Sequence, residues 1–406
     1  MDKATIAPPK IIQAITDTGG ICIYDQDGNM IVPKKTARTQ VQSLVNVFLP
    51  AGYPYTVSDD YTSYQVYDSL QAFFSTIAGL LSSRAVLQGM GVGDAASSAT
   101  AAVLLTVFQE STGRLATILF AHRYGRAIEP ECKFYRYLAD IVNDSAMFLD
   151  ILSPALPFYP KVLALCAAGI LRALCGVSGG AAKAALSAHF ARNGNLAELN
   201  AKDGSQETVI SLVGMLAGSL FVHFVHSREA VMAWMVVLIT LHLWTNYQAV
   251  SAVQLNTLNA QRLTIILDEF YCGSGAILRP NQVAAKENIL NWVGPAIHFA
   301  DCLPECSEVE GVNLEDFVDV GYVIVDGKKG KKIFLKDRPY HPAFLLLGDP
   351  LDPVIAWIEA YAGVRLSEEN DMWQRLLDAG WKLHTSSLET GPAIRVIFND
   401  SKNNPV

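Results

Sequence analysis

The 406-residue sequence has little charge, and the shortage is uneven. Charged residues make up 17% of the chain, against about 25% in an ordinary soluble domain. From residue 69 to 109 only Arg84 and Asp94 are charged, and from 230 to 261 no residue is charged. This argues against a protein that is soluble along its whole length, so the apolar stretches decide the fold class.

Other absences exclude several classes of protein. The seven cysteines are scattered, with Cys302 and Cys306 the closest pair, which indicates neither a disulfide framework nor a zinc knuckle. A net charge of −8 argues against a nucleic-acid surface. The first ten residues hold no apolar leader core, so we expect internal helices to direct any membrane insertion. No catalytic motif stands out, and we assign no catalytic residue.

Two apolar segments are long enough to cross a bilayer. A spanning helix needs about 20 mostly apolar residues, because the hydrocarbon core is about 30 Å thick. Residues 209–226 and 230–248 meet this length and predict a membrane hairpin, in which Gly214 and Gly218 provide a small-residue face. The alternative is a hairpin buried in a large all-α soluble protein. Weaker candidates at 69–93, 95–109 and 161–176 bring the prediction to between two and five spans.

Composition divides the chain into three regions. Residues 1–44 form an N-terminal appendage with a β-hairpin signal at 27–29. Residues 45–265 predict a charge-poor helical bundle, which we expect to be embedded in a membrane. Residues 266–406 predict a small soluble α+β module, with a β-hairpin turning at 327–332, two amphipathic helices and a strand. The predicted fold class is therefore mainly α, with a small C-terminal α+β module.

Tyrosines recur at a spacing of three at the start of the predicted bundle, at Tyr61, Tyr64 and Tyr67. This spacing places them on one side of a helix. The pattern is typical of an aromatic belt at a membrane surface, and equally of a tyrosine-rich helix packed on a protein core.

Three polar clusters interrupt the apolar region, and the first is a stripe of residues three or four apart on one helix. On a soluble helix such a stripe is a solvated, ion-paired face. In a membrane bundle it must face other polar groups or a cavity, because charges in hydrocarbon are costly. The residues of this α-helical stripe are Lys133, Arg136, Asp140, Asn143 and Asp144.

The second and third clusters are predicted helix starts. Residues 178–180, with Lys183 one turn later, offer backbone N–H groups of the kind that attract phosphate. In the third, Asp203 is the predicted N-cap, and a lysine beside small residues could hold an anionic ligand. The candidate ligand residues of the third cluster are Lys202, Asp203, Gly204, Ser205, Gln206 and Glu207.

Three histidines lie in the apolar hairpin, at His223, His226 and His242. On facing helices they could bind a metal or a haem. Histidines in such positions more often hydrogen-bond to neighbouring hydroxyl groups, so we predict no metal site.

Six segments carry a family resemblance. In this order, from about residue 45 to 265, they resemble successive signatures of the Root UVB Sensitive family, whose domain is also called the vitamin B6 photo-protection and homoeostasis domain. Residues 110–113 and Tyr135 depart mildly from the family pattern, and AKDGSQET is a quite specific match to it. The segments are LPAGYPYTVSDDYTSYQVYDSLQAF, VLQGMGVGDA, STGRLATILFA, KFYRYLADIVND, GGAAKAALSAHFARNGNLAELNAKDGSQET and LHLWTNYQAVSAVQLNTLN.

The resemblance implies a membrane-associated protein, plastid-located in some plants, with roles in ultraviolet-B responses, auxin transport and vitamin B6 homeostasis. Its paralogues act as a pair, and no enzymatic activity carries over. Our leading hypothesis is a non-enzymatic integral membrane protein that binds or passes a small anionic metabolite such as pyridoxal 5′-phosphate, with Lys202 as aldimine partner or counter-ion. The alternatives are an enzyme acting on a vitamin B6 vitamer or a lipid, and a scaffold. The scaffold would join a paralogue or a second copy through small-residue faces at 85–105 and 176–188.

Overall fold

The computed structural model shows a chain that is mainly α-helical, as the composition predicts, with a small mixed sheet near its C-terminus. Six long helices make up the bundle. They are α1 (Tyr61–Gly89), α2 (Ala99–Ile128), α3 (Cys132–Leu152), α4 (Phe158–Phe190), α5 (Leu196–Phe224) and α6 (Arg228–Ala252). The structure describes residues 12–15, 21–24, 30–31, 48–89, 99–192, 194–290, 292–300, 321–327, 330–336, 352–363, 372–383, 388–391 and 395–396.

Helix α1 is the hub of the bundle, because it packs against α3, α5 and α6. The predicted hairpin helices α5 and α6 meet near their connecting loop, where the rings of Phe221 and Trp234 lie 4.7 Å apart. Along their length, however, α1 packs against both of them. The small-residue face of α5 explains this arrangement: a Cβ at Gly214 would lie 2.9 Å from Thr76 Cβ, and one at Gly218 would lie 2.6 Å from Leu80 Cδ1. The predicted helices are therefore confirmed, but the small face contacts α1 instead of closing the hairpin.

Four helices in the described part of the chain, α1, α4, α5 and α6, are long and apolar enough to cross a membrane. Their outward faces carry large apolar side chains, among them Leu163, Leu216, Leu220 and Val236. Soluble monomers rarely expose apolar surface on this scale, so the exterior of the bundle is typical of a surface that contacts lipid or a partner.

The tyrosine repeat packs on the core. Tyr61 and Tyr64 are buried, and their rings lie 5.6 and 4.9 Å from the ring of Phe190, at the end of α4. Tyr67 is half-buried and lies edge-on to Trp244. The interpretation of Tyr61 and Tyr64 as a membrane-surface belt is wrong, because the end of α4 covers them.

The regions outside the bundle follow the predicted pattern. Strand β2 (Ile21–Tyr24) pairs antiparallel with β1 (Ile12–Ile15) and with β3 (Met30–Ile31), and β2 and β3 flank the predicted turn at 27–29, which lies outside the described residues. In the C-terminal region β6 pairs antiparallel with β5 across the expected basic turn, and parallel with β4 and β7. The elements there are α7 (Ala260–Cys272), α8 (Pro280–Ala284), β4 (Ile297–Phe299), β5 (Tyr322–Gly327), β6 (Gly330–Lys336), α9 (Asp352–Ala362), α10 (Met372–Asp378) and β7 (Arg395–Val396).

The C-terminal region has its own hydrophobic core. Trp357 and Ile358 of α9 pack with Ile333 of β6 and with Leu263 and Leu267 of α7, and all five are buried. Helix α7, at the predicted boundary, therefore contributes side chains to this second core, which is distinct from the clusters inside the bundle.

Candidate functional site

The polar stripe of α3 is buried inside the bundle. Lys133, Asp140 and Asp144 are all buried, Arg136 keeps 11% of its side-chain surface, and Asn143 is half-buried. Helix α3 lies against α1, α4 and α6, so its polar face meets the polar residues of these helices instead of water. The interpretation of the stripe as a solvated face is therefore wrong, and the alternative that it faces other polar groups is confirmed.

Arg136 lies at the centre of these contacts. Its guanidinium donates to both carboxylate oxygens of Asp140 at 3.1 Å, to Asp68 at 2.9 Å and to Gln71 Oε1 at 2.8 Å. The hydroxyl of Tyr64 donates to Asp68 at 3.3 Å. Bonds between a guanidinium and carboxylates are strong and directional, so they lock α3 against α1 in one register.

The contacts of Arg136 also orient Gln71. Because Gln71 Oε1 accepts from Arg136, its Nε2 points away, donating to Asp140 Oδ2 at 2.6 Å and lying 3.0 Å from His242 Nε2. The other ring nitrogen of His242, Nδ1, lies 2.8 and 2.9 Å from the two carboxylate oxygens of Asp144. The sequence pattern indicated His242 only as a metal ligand or a partner of a hydroxyl group, and it gave no sign of the pairing between His242 and Asp144.

Asn246, one turn after His242, completes the group by donating to Asp140 Oδ2 at 2.6 Å. Two of the three carboxylates, Asp68 and Asp140, therefore pair with the one guanidinium of the group, and the third, Asp144, pairs with His242. Ionised residues buried inside an apolar bundle are costly, and they often mark a functional site. We call these residues the central cluster: Asp68, Gln71, Arg136, Asp140, Asp144, His242 and Asn246.

Lys133 belongs to a second group at one end of the bundle. It donates to Glu287, which also accepts from Arg262 Nε at 2.6 Å. Glu131 lies beside them and accepts from Asn259 at 3.1 Å. Burial alone would raise the pKa of Glu287, but Arg262 and then Lys133 lower that pKa below its usual range. We call these five residues the junction cluster, because it joins α3 to the C-terminal region.

The third predicted cluster lies inside a helix. Helix α5 begins at Leu196, with Asn195 at the N-cap position, so Asp203 is in its interior and the predicted helix start at 202–207 is wrong. The helix begins earlier because Leu199 packs into the bundle core. Residues 178–180 are likewise inside α4, where the hydroxyl of Ser178 donates to the carbonyl of Tyr135 at 2.8 Å.

Most polar groups of the third cluster already have protein partners. Lys183 contacts both Asp203 and Glu207 at 2.8 Å, and Gln206 donates to the carbonyl of Phe48 at 2.7 Å. The remaining cluster residues are Lys202, which is half-buried, Gly204, which is exposed, and Ser205, which donates to the carbonyl of Ala201 at 3.0 Å. The cavity beside Lys183 and Asp203 is about 10 Å³, roughly the room of one water molecule.

Helix α1 connects the first and third clusters without bringing them into one cavity. Gln65 donates to Asp203 at 2.7 Å, whereas Asp68, one turn further along, pairs with Arg136. Lys202 and Asp140 therefore belong to two polar clusters that contact different residues of α1. The candidate residues of the first and third clusters do not converge on one site.

A cleft of about 180 Å³ lies at the opposite end of the bundle from the junction cluster, where α1 and α3 end and α6 begins. Arg84, Gln88, His226 and Arg228 line it, and its described lining includes no acidic residue. Arg84 donates to the carbonyls of Val222 and Val225 at 3.2 and 2.9 Å, near the end of α5. The charge of Arg84 in an apolar stretch was the signal in the sequence that could have pointed to this cleft.

One further ion pair lies near this end. Arg172 donates to Asp150, which is fully buried and also accepts from the hydroxyl of Ser82 at 2.7 Å. The three histidines considered as ligands of a metal or a haem do not come together: the rings of His223 and His226 are 6.4 Å apart, while His242 lies in the central cluster.

Comparison with known proteins places the chain in context. The model of a family described as the vitamin B6 photo-protection and homoeostasis domain matches residues 34–273. RUS family member 1 of Dictyostelium discoideum is 41% identical over 250 residues, covering 61% of this chain and 47% of that protein. Protein root UVB sensitive 3 of Arabidopsis thaliana is 35% identical over 249 residues, covering 61% and 56%.

A third relative, Protein root UVB sensitive 2, chloroplastic, of Arabidopsis thaliana, is 26% identical over 320 residues, covering 75% of this chain and 70% of that protein. The matched part of the chain spans about half the length of the first two relatives. No solved structure matches the chain.

Proposed function

Because the chain belongs to the family of the vitamin B6 photo-protection and homoeostasis domain, we propose that it supports vitamin B6 homeostasis and the ultraviolet-B stress response from within a membrane. We take it to be a non-enzymatic integral membrane protein that binds or passes a small anionic metabolite, with pyridoxal 5′-phosphate as the model ligand. Its partners in this proposal are the lipid bilayer and a paralogue or a second copy of the chain. A plastid membrane is one candidate location, since one plant relative is named chloroplastic.

One observation carries the membrane part of the proposal: the bundle turns its apolar side chains outward and its charges inward. Leu220 of α5 is 64% exposed, whereas Asp140 and Asp144 of α3 are buried. This polarity is the reverse of that of a soluble bundle, and it supports a location in which lipid covers the apolar exterior.

Helix α3 fits the same arrangement, although its charged residues lower its mean hydropathy. Its 21 residues give a length of about 31 Å, comparable with the hydrocarbon core. From Lys133 to Asp150 its polar residues extend over about 26 Å along the helix. We place α3 in the membrane as a central helix that α1, α4 and α6 shield from lipid.

The cleft at Arg84 and Arg228 is our preferred site for the anionic group of the ligand. Two arginines line it without a carboxylate in the described lining, and guanidinium groups are well suited to bind phosphate. At the third cluster, by contrast, Asp203 and Glu207 offset Lys183, and the adjacent cavity of about 10 Å³ has no room for a metabolite. Lys202 stays a second candidate, because it was predicted as the aldimine partner.

Equilibrium binding to the full chain in detergent would test both candidates. Pyridoxal 5′-phosphate is titrated into wild type, Arg228→Gln, Lys202→Ala and the control Arg114→Gln, whose guanidinium is exposed on α2. We expect Arg228→Gln to weaken binding about tenfold, through the loss of one charge-assisted contact, and the control to bind normally. Equal affinity of wild type and Arg228→Gln would exclude the cleft, and equal affinity of Lys202→Ala would exclude Lys202.

Competition would separate a soluble metabolite from a lipid headgroup. Inorganic phosphate and unphosphorylated pyridoxal report on the phosphate and on the ring, and mixed micelles with phosphatidic acid report on a lipid phosphate. Displacement by phosphatidic acid but not by inorganic phosphate would assign the cleft to lipid. No binding by any of the proteins would end the metabolite part of the proposal and leave the membrane part standing.

The geometry favours binding over the two alternative functions. The enzyme alternative needs Asp140, Asp144 and Asp203 to converge with Lys202, but Asp144 pairs with His242 while Asp203 pairs with Lys183. In the scaffold alternative, part of the face at 176–188 is occupied: a Cβ at Gly179 would lie 3.3 Å from Ala139 Cβ of α3. In the other small-residue face, at 85–105, residues 90–98 lie outside the described residues.

A further inference from the structure

We propose that the central cluster is a proton-binding site, with His242 as the group that takes up the proton. The inference rests on the geometry of the described helices and does not depend on the identity of any metabolite. It assigns a role to a buried, ionised group that the anion cleft leaves unexplained.

The central cluster has more negative than positive charge. The cluster holds three carboxylates and one permanent cation: Asp68 and Asp140 pair with Arg136, and Asp144 pairs with His242, the remaining titratable group of the cluster. With a neutral imidazole the cluster carries two negative charges in excess. Uncompensated charge buried away from water is costly, so a bound proton is favoured by the charges around it.

The neighbours of His242 define the tautomer of its neutral ring. Arg136 holds the Gln71 carbonyl oxygen, so Gln71 presents an N–H to His242 Nε2, at an N to N distance of 3.0 Å. His242 Nε2 must therefore accept, and its proton sits on Nδ1, which donates to Asp144. The surrounding side chains define this tautomer.

A second proton on the His242 ring would have a carboxylate acceptor beside it. On protonation Nε2 becomes a donor and loses its bond from Gln71, and Asp140 Oδ2, at 3.5 Å, is the acceptor next to it. A shift of a few tenths of an ångström would close that contact. His242 would then donate to a carboxylate from each ring nitrogen, as an imidazolium prefers. Among the described residues, the ionised groups that face the ring are Arg136, Asp140 and Asp144, all from α3, while α1 presents the neutral amide of Gln71.

A fourth, independent observation shows that the cluster is short of a donor. Asn246 is fully buried and donates to Asp140, yet its side-chain oxygen has no hydrogen-bond partner among the described residues. A buried acceptor without a donor, beside an excess of carboxylates, indicates that the described cluster has fewer protons than its acceptors can use. A metal ion fits less well, because both ring nitrogens of His242 already face protein atoms at hydrogen-bond distance.

The test is a pH titration followed by ¹⁵N NMR on the full chain, labelled at histidine, in detergent micelles. Loss of one resonance in His242→Gln assigns the signal, and His223→Gln, at an exposed site, is the matched control. We expect the His242 signal to titrate between about pH 5 and 9 as one proton binds. A second variant, Gln71→Glu, keeps an acceptor for Arg136 and replaces the amide nitrogen that faces both His242 Nε2 and Asp140 with a carboxylate oxygen.

In Gln71→Glu we expect the His242 transition to move by at least about one pH unit to higher pH, because a nearby carboxylate favours the charged ring. If His242→Gln does not fold, the signal that shifts in Gln71→Glu identifies His242. A signal that does not titrate over this range in wild type would overturn the proposal, and so would a transition that is the same in wild type and in Gln71→Glu.

Discussion

At the scale of single residues, the charges of this protein matter through their partners. Glu287 joins Lys133 of the bundle to Arg262 of α7, and Asp150 is held by Arg172 and Ser82. Each of these side chains sits where a lone charge would be unstable. Removing one member therefore does more damage than its own contacts suggest, because the partner stays behind unpaired.

The junction cluster allows a matched comparison of two carboxylates. Glu287→Gln leaves Lys133 and Arg262 facing an amide, and we expect it to lower the free energy of unfolding by about 3–5 kcal/mol. Glu131→Gln makes the same chemical change and retains an acceptor for Asn259, so we expect about 1 kcal/mol or less. Thermal or denaturant melting in detergent measures both, and equal destabilisation would contradict this assignment.

Acid should destabilise the protein through the same residue. The pKa of Glu287 is lowered in the folded state, because its two cations outweigh the effect of burial. A lowered pKa contributes stability above the unfolded value of about 4.3, and that stability is lost as pH falls through the folded pKa. We expect the melting temperature of wild type to fall more steeply than that of Glu287→Gln between pH 5 and 3. Parallel curves would show that Glu287 does not carry the acid response.

At the scale of elements, α1 organises the bundle and α3 carries its polarity. The close approach of α5 to α1 depends on residues without a Cβ at the contact, and the rotation of α3 turns its charged side towards α1 and α6. Helix–helix contacts in membranes depend on such close packing, because apolar association alone gives little advantage in lipid.

Two glycines of α5 should respond in opposite ways to alanine. A Cβ at Gly214 would meet Thr76 Cβ at 2.9 Å and the carbonyl oxygen of Phe73 at 3.3 Å, so we expect Gly214→Ala to destabilise by about 1–3 kcal/mol. A Cβ at Gly204 would meet nothing within 4 Å, so Gly204→Ala should stabilise the helix by about 0.5–1 kcal/mol. Melting of both variants in detergent checks the prediction, and a stabilising Gly214→Ala would refute the tight α1–α5 contact.

At the scale of the whole molecule, three kinds of surface follow one another along the bundle. One end carries the junction cluster and the C-terminal region, the middle is apolar outside and ionised inside, and the other end opens into the basic cleft. The proposed membrane location predicts this order, with the apolar middle in lipid and the two ends in water.

The membrane prediction is tested on intact vesicles. We expect the full chain to stay with the membrane after an alkaline carbonate wash and to need detergent for extraction, because the outward faces of α1, α4, α5 and α6 are apolar. Known peripheral and integral proteins of the same vesicles serve as controls. Release by carbonate, or a monodisperse protein without detergent, would refute a spanning bundle.

Much of the fold could be predicted from the sequence, because it depends on local composition. Apolar runs of spanning length predicted α5 and α6, turn residues predicted the hairpins at 27–29 and 327–332, and the order of the motifs predicted the family. Each of these signals lies within a short window of sequence, where length, hydropathy and turn chemistry act without distant partners.

The site depended on tertiary structure. The stripe of α3 could be recognised, but whether it faced water or protein depended on α1 and α6, and Lys133 pairs with a residue 154 positions away. Local signals also misplaced the start of α5, because burial of Leu199 outweighed the capping pattern at Asp203. The sequence by itself determined which segments form helices and which side chains are charged. Only the packing of distant helices decided which charges meet, because the energy of a buried charge depends on partners that the chain brings together in space.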